Sequence, residues 1–122
     1  MKSLFILTMI KKSYKDVKKE KVTKANSTKT SVRWLITEDD GPTHFATRRF
    51  EIEPNGQIGV HNHKEEHHIY VLDGQAEFIN GIGNSIIAVK DDIIYIPPNE
   101  DHGIKNNNNK PFVFICIIPY LG

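Results

Sequence analysis

Short hydrophobic runs separated by turn-forming residues dominate the chain from about residue 32 onward. In several of these runs apolar and polar positions alternate, which is the period-two pattern of a β-strand with one buried face. Clusters of Gly, Pro, Asn and Asp separate the runs, and no 3.6-residue apolar period is sustained long enough to predict a long amphipathic helix. The pattern predicts an all-β fold of antiparallel strands, arranged as a sandwich or barrel. The predicted strands cover residues 32–37, 45–53, 57–60, 67–72, 76–79, 85–89, 93–96, 103–105 and 112–118.

The segment before these strands has a different pattern. It is rich in Lys, Thr, Ser and Asn and shows no sustained apolar period, which predicts an arm or loop. We therefore divide the 122 residues into an N-terminal arm over residues 1–31 and one β-barrel domain over residues 32–122, with residues 1–8 forming an extra strand if they are ordered. The apolar run over residues 3–10 is too short to span a membrane and has no small-residue cleavage site, so we expect neither a membrane anchor nor a secretory signal. Met9 is an alternative start.

Charge is distributed unevenly along the chain. The formal net charge is +1, but residues 1–30 contain nine Lys against Asp16 and Glu20, so the remainder is mildly acidic. The arm has no Arg, and Tyr14 is its one aromatic residue after position 10, so the stacking groups that bind single-stranded nucleic acid are missing. We expect a solvated arm, with no nucleic-acid and no membrane partner. The lone cysteine, Cys116, excludes an intrachain disulfide and fits a reducing compartment, so we expect a cytoplasmic protein.

Two late strands are apolar at consecutive positions rather than at alternate ones. These are residues 93–96 and 112–118. A barrel strand with one wet face should alternate, so both faces of these strands are expected to be covered. A second copy of the chain is the simplest cover and predicts a homodimer. The alternative is that the N-terminal arm covers the outer face within the same chain.

Histidines cluster at one point in the predicted barrel. Four of the six fall within residues 61–68. In an extended segment His61 and His63 point to the same face, which brings both imidazoles to one ion. Alternation along the next strand lets only one of His67 and His68 face that ion. We take His67, a choice that the motif spacing below supports.

The stretch 55–74 resembles the first motif of the cupin superfamily. In that motif a Gly is followed after five residues by His-x-His, then by three or four residues, a Glu, six residues and a Gly. Here His61, His63 and Gly74 match, and His67 occupies the Glu position.

The stretch 91–106 resembles the second cupin motif, with Pro97, His102 and Asn106 at the family spacing. Asn and Asp tolerate left-handed backbone conformations best among residues with a side chain, so they can preserve turns where the family has glycine. Such replacements occupy three family glycine positions, Asn55, Asp91 and Asn99.

With His67 in the Glu position, the chain resembles the small four-histidine cupins. The resemblance implies an antiparallel double-stranded β-helix, or jelly-roll barrel, that holds one divalent transition metal ion with His61, His63, His67 and His102. Manganese is expected from the resemblance, whereas the general chemistry of imidazole ligands also suits Fe, Ni, Zn and Cu. In such cupins a cysteine placed like Cys116 can approach the metal; the alternative is a buried small apolar residue.

These features favour a metal-dependent enzyme. Four neutral imidazoles leave the ion its full formal charge and one or two open coordination positions. We expect an oxygenase, lyase or isomerase acting on a small oxygen-bearing molecule, and no catalytic residue is assigned. The alternatives are a non-catalytic metal or small-ligand binding or sensor module, and a structural zinc site. Four further residues are weaker candidates for substrate contact, since each is more often a packing residue: Trp34, Arg48, Arg49 and Tyr95.

Overall fold

A single antiparallel sheet curls into a half-barrel, as the all-β jelly-roll prediction expects. A computed structural model of the protein describes residues 9–42 and 44–121. Within them the path of hydrogen-bonded neighbours is β6-β5-β8-β3-β9-β4-β7, while β2 pairs with β3 and β1 pairs with β2. The strands are β1 Glu20–Lys21, β2 Thr28–Ile36, β3 Phe45–His61, β4 His67–Asp73, β5 Gln75–Asn80, β6 Ser85–Val89, β7 Ile93–Ile96, β8 His102–Lys105 and β9 Phe112–Pro119. Three short 3₁₀ helices cover Tyr14–Asp16, Lys24–Asn26 and Glu38–Asp40. None of the helices described is long and apolar enough to cross a membrane.

Strand β4 shows how the alternation in the sequence sets the core. His67, Ile69 and Val71 are buried, whereas the residues between them face outward, as predicted. The strand lies between β7 and β9, and its inward residues join a core that includes Phe50 and Phe114. The first residue of this strand is therefore an inward-facing histidine at the edge of an apolar core.

The prediction of two separate strands over residues 45–53 and 57–60 is wrong. They form one strand, β3, because Pro54-Asn55-Gly56 makes a kink within the strand rather than a turn. Asn55 has a φ of 68°, and its N–H donates to the Asn106 carbonyl at 2.8 Å. The kink lets the first part of β3 pair with β9 and the last part pair with β8.

Left-handed backbone occurs where family glycines are replaced. Asn55, Asp91 and Asn99 have φ angles of 68°, 73° and 65°, respectively. The expectation that these residues preserve turns is confirmed for Asp91 and Asn99, whereas Asn55 uses the same conformation in the kink within β3.

The described part of the arm packs against the barrel. Strand β2 begins at Thr28, four residues before the predicted start, and β1 pairs with it. Val22 packs against the hydrophobic core, and the Ala25 carbonyl lies so close to Gly59 that a Cβ there would clash. The division into arm and barrel at residue 31 stays a prediction, and the predicted extra strand over residues 1–8 lies outside the described residues.

The outer face of β7 is open in the described chain. Ile93 is 76% exposed and Tyr95 is 55% exposed. The alternative in which the arm covers this face does not hold for residues 9–31, which lie along β2 and β3 instead. The homodimer stays a prediction.

Asn106 ties the loop between β8 and β9 to the kink in β3. Its side chain is fully buried, and its Nδ2 donates to the carbonyls of Ile52 and Lys110 at 2.9 Å each. These two hydrogen bonds fix the turn that follows β8.

We expect Asn106→Ala to lower the free energy of unfolding by about 2 kcal/mol, because the buried Ile52 carbonyl and the partly buried Lys110 carbonyl both lose their donor. Urea unfolding measures the effect. Asn107→Ala is the matched control, since that side chain is exposed in the same loop. Equal stability of the two variants would contradict the assignment.

Candidate metal centre

Strand ends bring the four candidate histidines to one place. His61 is the last residue of β3 and pairs in register with His102, the first residue of β8. His63 follows two residues after His61, and His67 opens β4. The ring centroids of His61 and His102 are 4.4 Å apart, and those of His63 and His67 are 4.5 Å apart.

Backbone carbonyls fix the protonation of three of these rings. The Nδ1 of His61 and the Nδ1 of His102 each donate to the carbonyl oxygen two residues earlier, at 2.8 Å. The Nδ1 of His63 donates to the carbonyl two residues later, also at 2.8 Å. Because a carbonyl only accepts, Nδ1 carries the proton in each neutral ring, and Nε2 keeps a free lone pair.

The three oriented histidines form a set suited to a cation. Ligand atoms of His61, His63 and His102 lie within 4.8 Å of one another. A metal-binding histidine typically donates its other ring N–H to a carbonyl or carboxylate, which is the arrangement found here. The donor set therefore fits one divalent transition metal ion.

His67 has a different environment. Its Nε2 lies 2.7 Å from the Nε2 of His63, while its Nδ1 lies 2.9 Å from the Cys116 Sγ and 3.3 Å from the Arg48 Nη2. If Nδ1 donates to the sulfur, Nε2 is free to bind a metal. If Nδ1 accepts from Arg48, Nε2 carries the proton and donates to His63. Its role as a fourth ligand stays a prediction, and it depends on these two neighbours.

Burial favours the neutral rings that a metal requires. The pKa of His67 is lowered from 6.5 to about 3, mainly by desolvation and next by the nearby Arg48 charge. Desolvation is also the main cause that lowers the pKa of His63 and of His102. A cation that binds these imidazoles at neutral pH would therefore not have to displace a proton from them.

Cys116 lies behind the His67 ring rather than among the Nε2 atoms. Its side chain is 2% exposed, and burial is the main cause that raises the pKa of its thiol. It accepts a hydrogen bond from Arg48 at 3.1 Å. The residue is therefore a buried thiol in contact with a candidate ligand.

A cavity of about 340 Å³ opens over the histidines. Most of its wall is apolar, and Trp34, Phe50 and Phe114 contribute aromatic rings. The polar side chains that line it besides the histidines are Lys24, Ser27, Arg48 and Glu65.

Of the four weaker candidates for substrate contact, Trp34 and Arg48 line this cavity, whereas Arg49 and Tyr95 do not. Sequence reasoning missed the arm residues. The sequence feature that could have indicated this contact is Gly59, because the absence of a side chain there lets the Ala25 carbonyl of the arm approach β3.

Comparison with known proteins identifies the family. The Cupin domain model matches residues 48–118, and the chain therefore belongs to this cupin family. A solved structure similar to this chain is the polyketide cyclase RemF from Streptomyces resistomycificus. Its TM-score is 0.86 at 32% identity, with 92% of this chain and 80% of that chain covered.

Two comparisons involve Thermotoga maritima. A predicted oxalate decarboxylase of known structure has a TM-score of 0.78 at 19% identity, over 89% of this chain and 97% of that one, and supports the fold alone. An oxalate-binding protein is 28% identical over 71 residues, which are 57% of this chain and 58% of that protein. The chain thus matches little more than half the length of this curated relative.

We expect the metal-free protein to lose stability as pH falls below 6.5. Histidines of the unfolded chain take up protons near that value, whereas folded His67 does so only near pH 3, so acid favours unfolding over this window. Melting temperatures at pH 7.5 and 5, measured with a chelator, check this. The pH dependence should weaken in His67→Gln and persist in His68→Gln, whose ring is exposed. An unchanged dependence in His67→Gln would contradict the burial argument.

Proposed function

We propose that the protein is a metal-dependent enzyme whose ion is held by His61, His63, His67 and His102. The observation that carries the proposal is the set of three Nε2 lone pairs, each fixed by a carbonyl at the opposite ring nitrogen. Manganese is the metal that the four-histidine resemblance favours; Zn, Fe, Ni and Cu also suit imidazole ligands. A cytoplasmic location remains our expectation.

The bound ion would supply Lewis-acid polarisation of a ligand oxygen. The chain supplies the surroundings of the ion: most of the cavity wall is apolar, and Arg48 places a positive charge next to His67. Glu65 is the one carboxylate among the described residues that line the cavity. Its Oε1 lies 3.7 Å from the Nδ1 of His63, and it is our candidate proton acceptor.

Ring closure or isomerisation of a carbonyl compound is the reaction class that we favour. The similarity to a polyketide cyclase supports a ligand with an extended carbon skeleton. The mostly apolar cavity supports the same choice, since oxalate has no apolar surface to bury. Of the oxygenase, lyase and isomerase classes, we therefore place the protein nearest to lyases and isomerases.

A binding or sensor module is the second candidate. The scarcity of acid and base groups in the cavity favours it over hydrolytic chemistry. A ligand that binds the metal-loaded protein and is always recovered unchanged would support this alternative.

Metal analysis tests the central claim. We expect untagged protein to contain one transition metal ion per chain, and His102→Ala to bind it at least roughly tenfold more weakly, since even losing a ligand's hydrogen-bond partner costs that much. His68→Ala is the matched control, because this exposed ring faces away from the cavity. Elemental analysis and competition with a chelator give the measurement.

The variant His67→Ala separates a four-ligand from a three-ligand site. Weakened binding is expected; full metal content would remove His67 from the ligand set. A parent protein that stays metal-free after incubation with Mn, Fe, Ni or Zn salts would refute the proposed function.

We also propose that the outer face of β4, β7 and β9 joins two copies of the chain. Tyr70 pairs in register with Ile93, and His68 pairs with both Tyr95 and Ile117, so these residues form one continuous patch. All five are exposed in the single chain.

Sedimentation velocity at micromolar concentration should therefore give a dimer for the parent and a monomer for Ile93→Glu. Ile82→Glu is the control, since Ile82 is 83% exposed in the turn between β5 and β6. A monomeric parent would rule out this interface.

A further inference from the structure

Arg48 is a cation in the cavity wall that forms no ion pair with any residue that the structure describes. Arg48 lies on β3 between Trp34 of β2 and Cys116 of β9, and this row of cross-strand neighbours lines the cavity. Its guanidinium carbon lies 5.1 Å from the Trp34 ring centroid and 4.8 Å from that of Phe50. These aromatic contacts hold the guanidinium against the wall of the cavity.

Most donors of Arg48 have no acceptor in the described part of the chain. Its Nη2 donates to the Cys116 Sγ at 3.1 Å and lies 3.3 Å from the His67 Nδ1. Its Nε is buried without a hydrogen-bond partner, and no described carboxylate forms an ion pair with it. A guanidinium does not lose its proton in a protein, so this charge persists and is costly to bury unless an anion joins it.

The next residue in the chain shows the contrast. Arg49 points to the opposite face of β3, where its Nη1 lies 3.5 Å from the Glu51 Oε2. Its guanidinium carbon lies 4.0 Å from the ring centroid of Tyr14. Both arginines thus pack on aromatic rings, but only Arg49 has an ion pair with a described residue.

Other groups in the same cavity point to a polar ligand. The Ser27 Oγ, which the arm contributes, is also buried and has no partner among the described residues. Lys24 adds a second positive charge from the arm. Glu65 is the one opposing charge in the lining, and it lies beside His63.

We propose that Arg48 is the anion-binding residue of the cavity, and that the ligand is an organic carboxylate with an apolar, ring-sized body. The carboxylate would accept hydrogen bonds from the unpaired donors of Arg48, since planar guanidinium groups match carboxylates well. The apolar body would contact the aromatic and aliphatic wall, and a second oxygen would face the histidines. This assignment deepens the proposed function and rests on it only for the contact with the metal.

The test compares 1-naphthoate with its neutral analogue 1-naphthamide by calorimetry on metal-free protein at pH 8. We expect the parent to bind the carboxylate roughly tenfold or more tightly than the amide, the size of effect given by a charge-assisted hydrogen bond. Arg48→Met should abolish the preference, and Arg48→Lys should keep part of it. Arg49→Met is the matched control and should keep all of it.

Two outcomes would overturn the assignment: a parent with no preference for the carboxylate, or an Arg48→Met variant that keeps it. The parent comparison needs no variant, so it decides the matter even if Arg48→Met fails to fold, which circular dichroism would reveal.

Metal titration of the same samples separates the two proposals. If the parent binds one metal ion but shows no carboxylate preference, the anion site fails and the metal-dependent function stands. If the carboxylate preference follows Arg48 and no metal binds, the function fails and the anion site stands.

Discussion

Three hydrogen bonds from imidazole Nδ1 atoms to backbone carbonyls are the constraint on which the site depends. Each acceptor lies within two residues of its histidine, so the local path of the chain at the ends of β3 and β8 and just before β4 decides which ring nitrogen carries the proton. Because a backbone carbonyl accepts and does not donate, the Nε2 lone pairs of His61, His63 and His102 are left available on the ring atoms that lie close together. The backbone at three strand ends thus sets the donor atoms of the site before any side chain contributes.

His67 belongs to a second hydrogen-bond network, formed with Cys116 and Arg48, which does not fix the position of its ring proton as the carbonyls do for the other three histidines. Its Nδ1 is shared between a thiol and a guanidinium rather than held by a carbonyl, so its tautomer is set by side chains. A cation at the Nε2 atoms requires the His67 proton on Nδ1, where it can be donated to the Cys116 sulfur. The hydrogen bond from His67 to His63 requires the proton on Nε2 instead. Arg48 contacts both the Cys116 thiol and the His67 ring, so its position influences which of the two arrangements is adopted. A metal ion bound at the Nε2 atoms and an anion bound at Arg48 would therefore be linked through a single imidazole.

The local sequence pattern predicted much of the barrel, because alternating apolar and polar residues identify the inner face of any strand that has one buried side. The β4 residues Ile69 and Val71 follow this rule, and so does the shared face of His61 and His63. The kink at Pro54-Asn55-Gly56 could not be predicted, since the residues that favour a turn also favour a bulge, and the choice depends on the distant partners β8 and β9. The arm was underestimated for a similar reason: its polar sequence has little strand propensity of its own, and β2 and the core supply its contacts. Which of Arg48 and Arg49 faces inward became clear only from the register of β3.

The kink in β3 also divides that strand into two halves with separate roles. Residues before Asn55 pair with β9 and carry Arg48, while residues after it pair with β8 and carry His61. Loss of one residue at the kink would reverse the inside-outside parity of everything that follows it up to the next loop, and would leave the first half untouched. A single deletion at the kink would therefore turn His61 away from the cavity and leave Arg48 and its aromatic neighbours in place. The kink is thus the point on this strand at which the two proposed sites would diverge in evolution.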